Sequence, residues 1–356
     1  MSAAQGHAES LSPSSRVARG EICLALAAFV GLCVAVLAKT PRLLEPDDYA
    51  YRASIVALSH GHLLLTNAQY LSLYTQLSSH GQPGIYQWVH LASGKWISQK
   101  NPGYPFFAVP FQLIHALRVA PLFYGALACG GLFYGARRWL GPWGGAYAVV
   151  LYCSAGDALI FAWRSTMPTF TDMSLVAAAA GLLLGVLLPH ESSATRRLVV
   201  GLLAFVALAG ATFIRYTDLV LLAAALVSVL VLARACALRR SMIASWLGVV
   251  VLFAIGDAAL NHYLYGGYLS TGYGPGLVSF NASAIAPNVE RLPWPLLEGA
   301  PMIALALGAL TWIVLRLGRA RRTSTWTRAR TDAVVALVLA GSWGALWALY
   351  ATYTWT

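Results

Sequence analysis

The chain has 356 residues, of which 58% are hydrophobic and only 10% charged, with a formal net charge of +11. A soluble domain carries roughly 25% charged residues, so this composition excludes an ordinary water-exposed surface and points to a bilayer. The basic excess does not make a nucleic-acid surface either, because its Lys and Arg are scattered over short connections between apolar runs.

In chain order, residues 1–20 begin small and polar and are predicted to be a disordered cytoplasmic tail. Nine apolar stretches follow, near 22–38, 119–136, 143–163, 172–189, 198–214, 219–235, 241–257, 299–315 and 333–352. Each is long enough, or nearly so, to cross about 30 Å of hydrocarbon. The first is read as a retained anchor, because Lys39-Thr40-Pro41 is no small-residue cleavage site. The expectation is an all-α membrane protein with about nine transmembrane helices, residues 21–356 forming one transmembrane domain. Two connections are long, at about 39–104 and 259–299, and the rest are near minimal; long connections in compact proteins are usually functional. No internal repeat is visible, whereas secondary transporters often have duplicated halves.

The first long connection has structure of its own. Asp47 and Asp48 are suited to cap a helix over 49–59 that ends at Gly61. Ile85–His90 and Lys95–Ser98 flank Ala92-Ser93-Gly94, the pattern of a short hairpin, which delivers Lys100 to the membrane surface. Asn101-Pro102-Gly103-Tyr104-Pro105 then breaks the chain. The run Phe106–Leu117 is too short to span and is expected at the interface or as part of a kinked helix.

Charge sets the orientation. With the N-terminus in the cytoplasm and the spans alternating, the inner ends collect Arg16, Arg19, Arg137, Arg138, Arg196, Arg197, Arg239, Arg240 and the arginines of 316–330. The outer connections hold most of the acids, among them Glu45, Asp47, Asp48, Asp172, Asp218 and Asp257. This is the positive-inside pattern, and it implies a multi-pass plasma-membrane protein whose working face is extracytoplasmic. The five cysteines fall in helices or at inner ends, with neither a disulfide framework nor metal-type spacing.

Acids and bases share the outer helix ends: Asp47 and Asp48 after the first span, Lys100 before the second, Arg164 and Asp172 around the third connection, Arg215 and Asp218 at the fifth, and Asp257 and His262 at the last. Ionisable groups at membrane depth are costly and default to functional hypotheses. Transfer of a sugar from a lipid phosphate would need a carboxylate base for the acceptor hydroxyl, cations for the departing phosphate and an apolar groove for the lipid tail. The pattern offers all three, although composition alone does not choose this over an ion pathway.

Glu45-Pro46-Asp47-Asp48-Tyr49-Ala50-Tyr51-Arg52-Ala53 resembles the first-loop acidic motif of GT-C-fold glycosyltransferases, the superfamily of the protein O-mannosyltransferases and the lipid A aminoarabinose transferases. Gln99-Lys100-Asn101-Pro102-Gly103-Tyr104-Pro105 resembles their Lys-Pro…Gly-Tyr stretch before the second span. Asn261–Tyr268, followed by Thr271-Gly272-Tyr273-Gly274, resembles a late outer loop of bacterial members. The resemblance implies a polyprenyl-phosphate sugar donor, a cell-envelope glycan, lipid or protein acceptor, and inversion by a single displacement. It implies Asp47, with Asp48, as the catalytic carboxylates. Lys100 would contact the donor phosphate, joined by Arg164, Arg215 and Tyr104, and His262 and Tyr273 are candidate substrate contacts. Gln99 stands where some relatives carry an acid, so a divalent metal is compatible with the pattern but not required by it. The family usually has more spans or a C-terminal outer domain than this sequence supplies. The structural alternatives remain beside these readings: Asp47 and Asp48 as caps, Lys100 as a snorkelling interface lysine, Arg164 and Arg215 as anchors, and the whole as a transporter or flippase of a lipid-linked saccharide.

Overall fold

The computed structural model describes residues 13–40, 43–78, 84–188, 193–234, 236–272, 278–291, 293–299, 302–320 and 326–355. In chain order the elements are α1 (Pro13–Ala38), α2 (Pro46–Ser59), α3 (Asn67–Leu77), β1 (Trp88–His90), β2 (Trp96–Ser98), α4 (Gly103–Leu113), α5 (Ala120–Leu140), α6 (Gly144–Ser154), α7 (Gly156–Phe161), α8 (Thr169–Leu187), α9 (Ala194–Ile214), α10 (Leu219–Leu232), α11 (Arg240–Tyr265), β3 (Val278–Phe280), α12 (Ile285–Arg291), α13 (Pro293–Gly299), α14 (Met302–Ala320), α15 (Trp326–Ala351) and β4 (Tyr353–Trp355). Helix therefore begins at Pro13, seven residues before the expected end of a disordered tail at residue 20; residues 1–12 lie outside the described residues.

Six helical segments among the described residues are long and apolar enough to cross a membrane: Val17–Ala38, Leu117–Leu140, Thr169–Leu187, Ala194–Ile214, Arg240–Tyr265 and Asp332–Ala351. Their outward faces carry exposed aliphatic side chains, such as Leu26, Val30 and Val34 on α1 and Val251, Leu252 and Ile255 on α11. Water would not tolerate that covering and lipid would, so the chain is an all-α membrane protein. Six of the nine expected segments meet the test. The stretch 143–163 is divided, because Ala155 leaves helical geometry (ψ 134°) between α6 and α7. The stretch 219–235 shortens to the 14 residues of α10, about 21 Å long at 1.5 Å per residue. The stretch 299–315 overlaps α14 from Met302 onward, and α14 is not among the six. At the last long connection α11 continues to Tyr265, past the expected boundary near 259, and stops where Gly266 takes a left-handed conformation (φ +79°).

Helix packing rests on glycine. Gly131 and Gly135 of α5 cross Gly181 and Gly185 of α8, and a Cβ added at Gly135 would lie 2.0 Å from the Gly181 carbonyl oxygen. One added at Gly181 would lie 2.2 Å from the Gly131 oxygen. Both helices carry a G-x-x-x-G spacing, which lets backbones touch where lipid supplies no hydrophobic drive to bring helices together. A hydrophobic core of Val186, Phe205, Trp246 and their neighbours ties α8 to α9 and α11.

One end of the bundle gathers arginines: Arg137 pairs with Glu21 at 3.0 Å, Arg138 donates to the Gly185 carbonyl and Arg197 to the Cys236 carbonyl. The opposite end carries the acids and the two long connections. There Arg118 donates to the carbonyls of Val36, Leu37 and Lys39 and so caps α1. β1 and β2 form the expected antiparallel hairpin, with Val89 opposite Ile97 and Gly94 at φ +76° in the turn. Gly103 seats the chain after the hairpin on the end of α9, where an added Cβ would lie 2.1 Å from the Phe213 carbonyl oxygen. α4 is 11 residues long, too short to span, as anticipated.

Gly135→Val is expected to drive α5 and α8 apart at a cost of roughly 1–3 kcal/mol of overpacking. Thermal unfolding in detergent checks this, with Gly130→Val, at a position with open space around it, as the neutral control.

Candidate functional site

The polar end is built around Asp48, whose side chain is fully buried. Oδ2 accepts from Arg164 Nη2 at 2.6 Å and from the backbone N–H groups of Leu44 at 2.9 Å and Glu45 at 3.1 Å; Oδ1 accepts from Thr166 Oγ1 at 2.9 Å. Four donors occupy the carboxylate's acceptor positions. The helix α2 thus begins with Asp48 at its third position reaching back to the cap, and Glu45, not Asp47 or Asp48, is the cap residue. Arg164 also donates to Glu45 Oε1 at 3.2 Å, so its guanidinium clamps the start of α2 to the loop between α7 and α8.

Asp47, one residue earlier, projects differently. Its side chain is 35% exposed, and Oδ1 lies 2.9 Å from Lys100 Nζ, whose own side chain is only 9% exposed. The lysine is held by its segment: its backbone N–H bonds to Ser98 Oγ at the end of β2, and the next residue, Asn101, donates to the Ile214 carbonyl at the end of α9. The pair therefore sits where α2, the hairpin and α9 meet, beside a small hollow lined by Ser54, Ser98, Lys100 and Tyr265.

Arg215 follows α9 directly. Its Nε lies 3.4 Å from Asp172 Oδ2, and Nη2 donates to Thr169 Oγ1 at 2.8 Å. Tyr51 of α2 lies near enough to contribute to its electrostatic surroundings, which links Arg215 to the Asp47 side of α2. Asp218 is buried beside Asp172, and burial pushes its carboxyl above the usual carboxylate range, with the Asp172 hydrogen bond and the Arg215 charge opposing. Tyr216 donates to Asn261 Oδ1 at 3.1 Å, joining α11 to the same end.

The other expected residues separate. Tyr104 is fully buried, donates to the Ser165 carbonyl at 2.6 Å and packs edge-on against Tyr51 at 5.6 Å, and burial pushes its phenol up; its hydroxyl braces the Arg164 loop. His262 is exposed at the end of α11 and stacks on Tyr268 at 4.4 Å. Tyr273 lies outside the described residues; Gly272 rests on the Gln99 backbone, next to Lys100. Sequence reasoning missed Thr166 and Thr169, whose hydroxyls complete the Asp48 and Arg215 sites; threonines in a Ser-Thr-x-Pro-Thr stretch after an apolar run look like ordinary turn chemistry. Among the described residues, no three His, Cys, Asp or Glu side chains converge as a metal site.

Comparison with protein-family models, curated proteins and solved structures gives no match to the chain.

Arg164→Met leaves the Asp48 carboxylate buried without its cation. It is expected to cost about 3–5 kcal/mol of stability. Asp47→Asn, half-exposed and still able to accept from Lys100 through its amide oxygen, is expected to cost about 1 kcal/mol or less. Paired thermal melts of the two purified variants check the contrast.

Proposed function

We propose that the chain is a membrane glycosyltransferase of the GT-C type, moving a sugar from a polyprenyl-phosphate donor to a hydroxyl of a cell-envelope glycan, lipid or protein on the extracytoplasmic face. The observation that carries this reading is the Asp47–Lys100 pair: a partly exposed carboxylate held 2.9 Å from a nearly buried ammonium at the polar end of an apolar bundle. The resemblance of the Pro46-Asp47-Asp48 and Lys100–Tyr104 segments to the GT-C motifs adds to it.

In this reading the two adjacent acids divide the work. Asp48 is saturated with donors and has no lone pair for a substrate proton, so it positions; Asp47 is the base. Lys100 orients the Asp47 carboxylate in the resting site. On donor binding the phosphate takes a share of the ammonium. The acceptor oxygen attacks the anomeric carbon, its proton passes to Asp47, and the bond from that carbon to the phosphate oxygen breaks. Polyprenyl phosphate leaves with its added charge met by Lys100 and Arg215. One displacement inverts the anomeric centre. Arg164 is enclosed between Asp48 and Glu45 with a side chain only 4% exposed, and Tyr104 is buried on the Ser165 carbonyl, whereas Arg215 is 36% exposed beside Asp172, so this reading gives the phosphate to Lys100 and Arg215. In this reading all nine apolar stretches cross the membrane, with the N-terminus in the cytoplasm.

A transporter of a lipid-linked saccharide has one observation in its favour, the buried Asp172 and Asp218 beside Arg215, since ionisable clusters in membrane bundles also serve ion coupling. Proteoliposomes loaded with an isotope-labelled polyprenyl-phosphate sugar separate the two. Transfer releases free polyprenyl phosphate; translocation moves label across the bilayer and releases none.

Two outcomes are expected. Lys100→Gln should raise the apparent donor KM and lower kcat, with Lys100→Arg retaining part of both because charge remains while geometry changes; if Gln matches the wild type in initial rates, the lysine is an interface anchor. For orientation, in a background without the five native cysteines, Ser93→Cys should react with an impermeant thiol reagent added outside and Thr195→Cys should not. The reverse pattern would move the site to the cytoplasm and end the proposal.

A further inference from the structure

The polar end carries a second concavity, on the side of α2 turned away from Lys100. Asp47, Tyr51 and Ser54 share one face of that helix, whereas Asp48, Arg52, Val56 and Ser59 share another at helical spacing. The second face borders an open cleft of about 810 Å³, walled by α2, the end of α3, the end of α4 and the loop 163–166. Sites for small ligands commonly run from about 300 to 1,000 Å³. Arg52, His60, His115 and Arg164 all line it, and among the described residues no Asp or Glu does.

Three details show cationic and donor groups held ready. Among the described residues, no ion pair involves Arg52, in contrast to Arg164 beside it. His60 Nδ1 is fixed 2.8 Å from the Val56 carbonyl oxygen, which leaves Nε2 as its outward nitrogen. His115 occupies the left-handed position that ends α4, at φ +55°, where the Ala116 N–H closes back on the Phe111 carbonyl at 2.8 Å. Glycine fills that position without strain and histidine does not, so the imidazole is placed on this wall at a conformational cost.

The rim shows what kind of anion fits. Leu113, on the cleft wall, is 61% exposed, and Ile114 beside it is 70% exposed. Trp163 lines the opposite side, with Lys39 Nζ 5.6 Å from its ring centre. Exposed aliphatic tips, an aromatic with a lysine beside it and the arginine Arg52, which forms no ion pair among the described residues, are the mixture of groups found at a headgroup boundary. A soluble anion has no use for the apolar lip.

We propose that this cleft binds the phosphate headgroup of an anionic membrane lipid, with Arg52 and His115 on the phosphate and the acyl chains leaving past Leu113. Its occupant would sit one side chain from Asp48, because Arg164 both lines the cleft and holds that carboxylate. The inference stands on the cleft itself and does not require that the chain transfer sugars.

Native mass spectrometry of the full chain, titrated with phosphatidylglycerol or phosphatidylcholine, tests it. The wild type should retain one phosphatidylglycerol in preference to phosphatidylcholine. Arg52→Gln should weaken that binding roughly tenfold, the loss expected for hydrogen bonds to a charged group. His115→Gly, which relieves the backbone and cannot be dismissed as misfolded, should weaken it in the same direction. Lys95→Gln in the exposed hairpin turn, and Asp47→Asn, should bind as the wild type does. Equal retention of both lipids, unchanged binding by Arg52→Gln and His115→Gly, or an equal loss in Lys95→Gln overturns the site. Displacement of the lipid by millimolar inorganic phosphate or glycerol 1-phosphate overturns the lipid as its ligand. If this pattern holds while no polyprenyl phosphate is ever released, the transfer reading fails and the cleft stands.

Discussion

A carboxylate with no exposed surface must be compensated or protonated, and the polar end of this protein is arranged around compensating one. Isolated burial of an ionised carboxylate costs far more than a domain's whole stability. Asp48 escapes that cost through Arg164, Thr166 and two backbone N–H groups, contributed by two stretches of chain more than a hundred residues apart. The consequence is geometric. Once Asp48 is fixed, the first turn of α2 can take only one rotation, and Asp47 then points to the side where Lys100 waits. A dipeptide of identical residues thereby yields one side chain that holds the fold and one that is free to act.

The second constraint is close approach of backbones. Lipid-embedded helices gain little from burying apolar surface against one another, so contact must come from shape and polar bonds. The glycines of α5 and α8 let those helices touch, and Gly103 does the same between the lysine segment and α9. The last of these matters for the site. Lys100 and Arg215 belong to segments far apart in sequence, and Gly103 with the Asn101 bond to Ile214 is what brings the two cations to one place.

Much of this could be read from the sequence, and the failures have physical causes. The amphiphilic division of charge, the helix ending at Gly61, the hairpin turning at Gly94 and the short helix after Pro102 all depend on local chemistry, and all are present. Apolar length alone does not reveal a break such as that at Ala155, where no proline announces it, and six of the nine expected stretches meet the spanning test among the described residues. The end of α11 was placed early at an acid, Asp257, although the true stop signal was Gly266 nine residues on after an uninterrupted helical stretch. The roles of Asp47 and Asp48 could not be separated from sequence. Only the partner from the 164–166 loop distinguishes them, and long-range pairing leaves no mark in the local pattern. Arg164 shows the same limit: a cation beside a membrane face looks available until the acid that claims it is seen.

The central claim is that Asp47 and Lys100 act as one unit, with Asp48 outside it. A double-mutant cycle on initial transfer rates tests this most directly, using Asp47→Asn, Lys100→Gln and the combination. Residues that act together in one step give losses that do not add, so the account predicts a double variant no slower than the worse single variant, within about threefold. Losses that multiply in full would mean that the two side chains work independently, and the 2.9 Å pair would then be a structural contact of the resting protein with no part in the reaction.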